Sequence, residues 1–114
     1  MLSLSSAVRV FVCRQPTDMR CSFDRLAAAA SQVLNRDPLS VHLFLFLNRL
    51  RTGVKILYVD RTGVVIWYKR LERGTFSVPQ KEEIDPRELM CVLEGIEFES
   101  ARKKKRFFLR KAAA

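Results

Sequence analysis

Apolar and polar positions alternate near the start of the chain, with Val8, Val10 and Val12 on one side and Arg9, Phe11 and Cys13 on the other. That period of two predicts a first strand over about residues 7–13, which Gln15-Pro16-Thr17-Asp18 breaks. The period then lengthens. Met19, Phe23, Leu26, Ala30, Val33 and Leu34 recur at three- and four-residue steps. This predicts a helix over about residues 18–35 with one apolar face. The run Ala27–Ala30 favours helix, Thr17 or Asp18 can cap its start, and Asp37-Pro38 ends it.

Three runs rich in β-branched and aromatic residues follow: His42–Leu47, Val54–Val59 and Val64–Lys69. The connectors Asn48–Gly53 and Asp60–Gly63 are of hairpin length, so an antiparallel meander is the simplest arrangement. Leu43/Leu45 and Phe44/Phe46 are apolar on both faces, which makes the first of these strands central or covered on both sides. A short fourth run, Thr75–Val78, lies between Gly74 and Pro79.

The last element is a helix over about residues 86–95. Asp85 is placed as N-cap, Pro86 fits the first turn, and Glu88 completes a capping box. Leu89, Met90, Val92, Leu93 and Ile96 form its apolar face, and Gly95 suits the C-cap. The predicted order is β-α-β-β-β-(β)-α, an α+β fold in which the neighbour of the first strand is undetermined. Residues 1–99 are expected to form a single small domain. Residues 100–114 carry no core pattern and are expected to be a flexible basic tail.

The chain has 114 residues, of which 48% are hydrophobic and 29% charged, with only 4 Gly and 4 Pro. This composition supports one modest core and excludes collagen-like, low-complexity and wholly disordered classes. No apolar run approaches the roughly 20 residues that span a bilayer. The N-terminus lacks the pattern of a signal peptide, so a cytoplasmic location and no membrane partner are expected. Three cysteines without a CxxC, and a single histidine, argue for free thiols and against a disulfide framework or zinc site.

Net charge is +9, unevenly spread. Residues 1–81 carry 13 basic and 5 acidic groups, residues 82–100 one basic and seven acidic, and residues 101–114 seven basic and none acidic. A basic body of this kind favours polyanions, nucleic acid foremost, with an anionic membrane surface as the rival.

Two basic sets are candidates for phosphate contact. The tail holds Arg102, Lys103, Lys104, Lys105 and Arg106, followed by Phe107 and Phe108, whose faces can stack on bases. In the body, Arg49 and Arg51 lie in the first hairpin connector. A meander brings Lys69, Arg70 and Arg73 back to that end as a phosphate-binding rim, while Arg61 falls at the opposite end. Solvated charge accounts equally well for either set.

Arg20 is placed to pair with Asp24 on the first helix. Asp18 and Asp60 suit capping and turn formation better than magnesium binding, and His42 suits packing at a strand start. Tyr58, Trp67 and Tyr68 read as ordinary strand residues, with a base-stacking platform as the alternative. There is no Gly-rich phosphate loop, HExxH or nucleophile elbow. No catalytic residue, metal or cofactor is therefore expected.

Five phrases support a family resemblance. Thr17-Asp18-Met19-Arg20 with Phe23-Asp24 and Leu26 resembles TDMR-x-x-FD-x-L. His42–Arg49 resembles HLF-x-F-x-NR, and Lys55–Asp60 with Gly63 forms the next block. Trp67–Phe76 resembles WYKRLE-x-G-x-F, and Leu93-Glu94-Gly95-Ile96 is similar to the closing phrase. Together, in order and spacing over about residues 7–97, they resemble the TnpB (Orf2-like) accessory proteins of the Insertion Sequence 66 family of bacterial transposable elements. Cys21-Ser22, Val41 and Val78 depart from the usual Lys-Gly, Gly and Trp.

The resemblance implies a non-catalytic helper in DNA transposition, working beside a separate transposase encoded by the same element. It brings no catalytic residues. The matched basic residues Arg20, Arg49, Lys55, Lys69, Arg70 and Arg73 become candidates for contact with element DNA or the transposase, and the tail lies outside the resemblance. The alternative is a protein-interaction module that assembles the transposition complex, through a sheet edge or the acidic helix, without touching DNA. A small metal-dependent nuclease is a third reading.

Overall fold

The computed structural model describes residues 7–94. In chain order the elements are β1 (Val10–Cys13), α1 (Phe23–Gln32), β2 (Leu43–Leu47), β3 (Gly53–Val59), β4 (Val64–Arg70), β5 (Glu83–Ile84) and α2 (Pro86–Leu93). They form one five-stranded sheet in the order β4-β3-β2-β1-β5. β2, β3 and β4 are the expected antiparallel meander, with Phe44 opposite Leu57 and Lys55 opposite Tyr68. β1 lies parallel to β2, Val10 opposite Leu43, with α1 as the crossover that parallel neighbours require.

β2 occupies the centre and is buried along its whole length, as its two apolar faces demand. Alternation divides the core. Val10, Val12, Leu43, Leu45, Val54 and Ile56 face α2, where Leu89, Val92, Leu93, Phe76 and Val78 cover them. Phe11, Cys13, Phe44, Phe46 and Leu57 face α1, which contributes Leu26 and Ala30. Each large side chain buried here contributes about 1.5–3 kcal/mol relative to exposure, so the sheet is the rigid part to which the connecting loops are anchored.

Several boundaries differ from expectation. α1 starts at Phe23 with Ser22 as N-cap, because residues 18–21 form a turn: Cys21 N donates to the Asp18 carbonyl at 3.0 Å. Met19 therefore lies off the helix, against Gly53, where an added Cβ would come within 3.0 Å of its Cγ. Val33 is 39% exposed at the helix end. Thr75–Val78 buries Phe76 and Val78 without joining the sheet, and the fifth strand is instead Glu83–Ile84, antiparallel to β1. α2 has the expected capping box, with Glu88 N donating to Asp85 Oδ1 at 2.9 Å and Asp85 N to Glu88 Oε1 at 3.1 Å. Gly95, Ile96 and the 100–114 tail lie outside the described residues.

Candidate nucleic-acid interface

β1 and β2 end side by side at Cys13 and Leu47, and the chain leaves each through a loop. The loops are tied together where Thr17 N donates to the Leu47 carbonyl at 2.8 Å. Asn48 builds the second loop. Its Oδ1 accepts from Thr52 N at 2.9 Å and Gly53 N at 3.1 Å, and its Nδ2 donates to Thr52 Oγ1 at 3.0 Å. Arg51 closes the turn by donating to the Asn48 carbonyl at 3.1 Å, with a left-handed backbone at φ +57°. The segment after β4 packs on the same loop: Leu71 N donates to Thr52 O at 2.8 Å and Phe76 N to Arg51 O at 2.7 Å.

Two clefts open at this end. One of about 130 Å³ lies between Cys13, Arg14 and Gln15 on one side and Asn48, Arg49 and Arg51 on the other. A wider one of about 430 Å³ lies between Thr17, Asp18 and Met19 and the tip residues Arg49 and Leu50. The crevice beyond the carboxyl ends of parallel strands is where open α/β sheets commonly bind ligands.

Arg49, Arg51, Arg70 and Arg73 are exposed. Arg70 stands opposite Gly53 and Lys69 opposite Val54, so the end of β4 returns to the Arg49/Arg51 end, and Arg61 lies at the far hairpin, as the meander predicts. Arg14 was not among the sequence candidates. Its place beside the cleft follows from the parallel pairing of β1 with β2, which no local pattern shows. Its Nη1 donates to Pro79 O at 2.8 Å.

The two lysines of the body set have structural partners. Lys55 Nζ donates to Cys21 O at 2.7 Å and lies 5.3 Å from the centre of the Tyr68 ring. Lys69 Nζ donates to Leu93 O at 2.6 Å, which satisfies a terminal carbonyl of α2 and complements the negative end of its dipole. Successive side chains on β4 face opposite ways, so Lys69 and Arg70 do not share a face.

Arg20 pairs with Asp18 rather than with Asp24: its Nε lies 3.0 Å from Asp18 Oδ2, and its side chain is 91% exposed. Because α1 starts only at Phe23, Arg20 and Asp24 do not share a helix face. Bonding to Arg20, through side chain and backbone, holds the Asp18 carboxyl at a pKa of about 2. Asp60 binds the amides of Thr62 and Gly63, both at 2.9 Å, which lowers its pKa. Both acids thus serve turns.

His42 Nδ1 accepts from Arg9 N at 3.0 Å, and its ring meets Phe11 edge-on at 5.6 Å, a packing role at the strand start. Tyr58 and Trp67 pack against the α2-side core, whereas Tyr68 lies beside Lys55 on the other face. These three rings therefore make no common stacking platform. Cys13, Cys21 and Cys91 are free thiols.

Among the described residues no three His, Cys, Asp or Glu are grouped to hold a metal ion, and no helix is long and apolar enough to cross a membrane. Arg102 to Arg106 lie outside the described residues.

A family model described as "IS66 Orf2 like protein" matches residues 8–103. The match runs past the closing phrase to include Arg102 and Lys103. The chain is similar to "Uncharacterized protein y4hO" of Sinorhizobium fredii, 37% identical over 102 residues that span 86% of this chain and 89% of that protein. It is also similar to "Uncharacterized protein y4jC" of the same organism, 26% identical over 108 residues, 91% of this chain and 92% of that one. No solved structure gives a significant match.

Proposed function

The chain belongs to the IS66 Orf2-like family of transposon accessory proteins, and on that premise we propose that it is a non-catalytic helper that binds element DNA and the separate transposase. The observation that carries the DNA half is the arginine rim. Arg14, Arg49 and Arg51 line the cleft where β1 and β2 end, with Arg70 and Arg73 arriving at the same end from β4. The one carboxylate lining the two clefts, Asp18, is already paired with Arg20. The rim thus presents net positive charge on loops held by a rigid sheet, an arrangement that takes phosphates.

Arg49, Arg51, Arg70 and Arg73 are the direct contacts in this reading, and Arg20, whose charge is matched by Asp18, lies beside them as an exposed donor. Lys55 holds the turn that leads into α1 and Lys69 the C-terminal end of α2, while both add to the local field. Arg102, Lys103, Lys104, Lys105 and Arg106 supply a second, sequence-independent attraction.

Each phosphate contact contributes roughly −0.9 to the slope of log affinity against log salt. Arg49→Ala combined with Arg51→Ala is therefore expected to weaken duplex binding and flatten that slope by about 2, measured by fluorescence anisotropy across a salt series. An unchanged slope would place the contact elsewhere.

A further inference from the structure

β4 forms one edge of the sheet, and among the described residues no segment pairs with its outer side. Two backbone bonds fix which of its groups face outward. Asp60 N donates to Gly63 O at 2.9 Å at the closed end of the hairpin, and Leu71 N to Thr52 O at 2.8 Å at its open end. Antiparallel pairs alternate between bonded and non-bonded. In the register from Val59↔Val64 to Gly53↔Arg70, Val65, Trp67 and Lys69 therefore bond inward to β3. Val64, Ile66, Tyr68 and Arg70 aim their N–H and C=O groups out of the sheet.

Such an edge is a template for another strand unless it is guarded. This one is seven residues long, β-branched or aromatic from Val64 to Tyr68, with no proline or glycine. Its one lysine turns back onto Leu93 O at 2.6 Å, which leaves Arg70 as the only outward guard.

We propose that β4 pairs antiparallel with β4 of a second copy of this chain, about a two-fold axis at Trp67, joining the two sheets into one. The axis is chosen by complementarity. It sets Ile66 against Tyr68, Val64 against Arg70, Val65 against Lys69 and Trp67 against its own mate. All four outward residues find outward partners, Ile66 and Tyr68 make a β-branched–aromatic pair, and every cation faces a valine. An axis at Ile66 leaves Arg70 without a partner in β4, and one at Tyr68 leaves Val64 without one. Twofold pairing of one patch with itself is the commonest way soluble chains associate. The proposal stands independently of the DNA reading.

Sedimentation velocity on the full chain over a concentration series tests it, and a monomer–dimer equilibrium is expected. Val64 is 42% exposed, so Val64→Lys leaves the monomer fold intact while placing two like-charge pairs in the dimer. It should raise the dissociation constant about tenfold, and adding Arg70→Glu should restore the dimer. Hydrogen exchange supplies the second readout: on dilution the Ile66 and Tyr68 amides should lose protection while those of Trp67 and Lys69 keep it. A monomer at every concentration, or a dimer in which Ile66 and Tyr68 exchange freely, overturns the proposal. A dimer with protected amides that ignores Val64→Lys, or that Arg70→Glu fails to restore, overturns the Trp67 axis.

Discussion

Arg51 holds a left-handed backbone that costs an L side chain about 1–2 kcal/mol and that glycine adopts freely. The loop keeps an exposed arginine there, on the rim of the cleft, which is where strain retained for function would sit. Arg51→Gly is therefore expected to raise stability to urea by up to about 1 kcal/mol, part of the relief being offset by the freer unfolded chain. The same change should weaken duplex binding in an anisotropy titration. Lower stability with unchanged binding would contradict this account.

Other single residues were only half readable. The sequence shows that Lys55 and Lys69 are charged, but their partners, Cys21 O and Leu93 O, lie 34 and 24 positions away. Asp18 fits a helix cap and an isolated turn equally well on pattern alone. Its bonds to Arg20 N and the Arg20 guanidinium decide for the turn.

Elements with local chemistry were the most readable. Asp85-Pro86 with Glu88 announces the start of α2, and both reciprocal bonds of the box form. Glu88 is buried and also meets Lys81 at 2.9 Å, so the box joins α2 to the chain that leads into it. Asp85→Ala removes the acceptor for Glu88 N and should cost about 1 kcal/mol in urea unfolding. A loss near zero would mean that the cap is replaced by solvent.

The strands of the meander and the centrality of β2 follow from residues apolar on alternate or on both faces. β5 left no such trace, because two residues, one exposed and one buried, cannot display a period. Thr75–Val78 shows the converse: inward Phe76 and Val78 imitate a strand, although alternation reports burial and not pairing.

How the parts join depends on long-range pairing. The side on which β1 docks had no local determinant, yet it creates the cleft, because parallel docking on β2 sets the Arg14 loop beside the Arg49–Arg51 loop. Charge was readable as an amount, and its gathering at one sheet end only in part. The meander brought Arg70 and Arg73 to the right end, Arg14 came with the parallel pair, and the two lysines were drawn onto backbone carbonyls, Lys55 onto one in the turn before α1 and Lys69 onto one at the end of α2. Family membership supplies the transposition context, and the arginine rim supports the DNA half of the assignment.

The most direct test of that assignment is fluorescence anisotropy of the full-length protein with labelled duplex from the element's ends and with a scrambled duplex of equal length, at low and moderate salt. The account predicts tighter binding to the end duplex at both salts, with affinity for each falling as salt rises. No binding to either duplex while the transposase is captured regardless of salt would contradict it and leave a protein-interaction module, and equal affinity for the two would reduce the DNA half to sequence-independent phosphate contact.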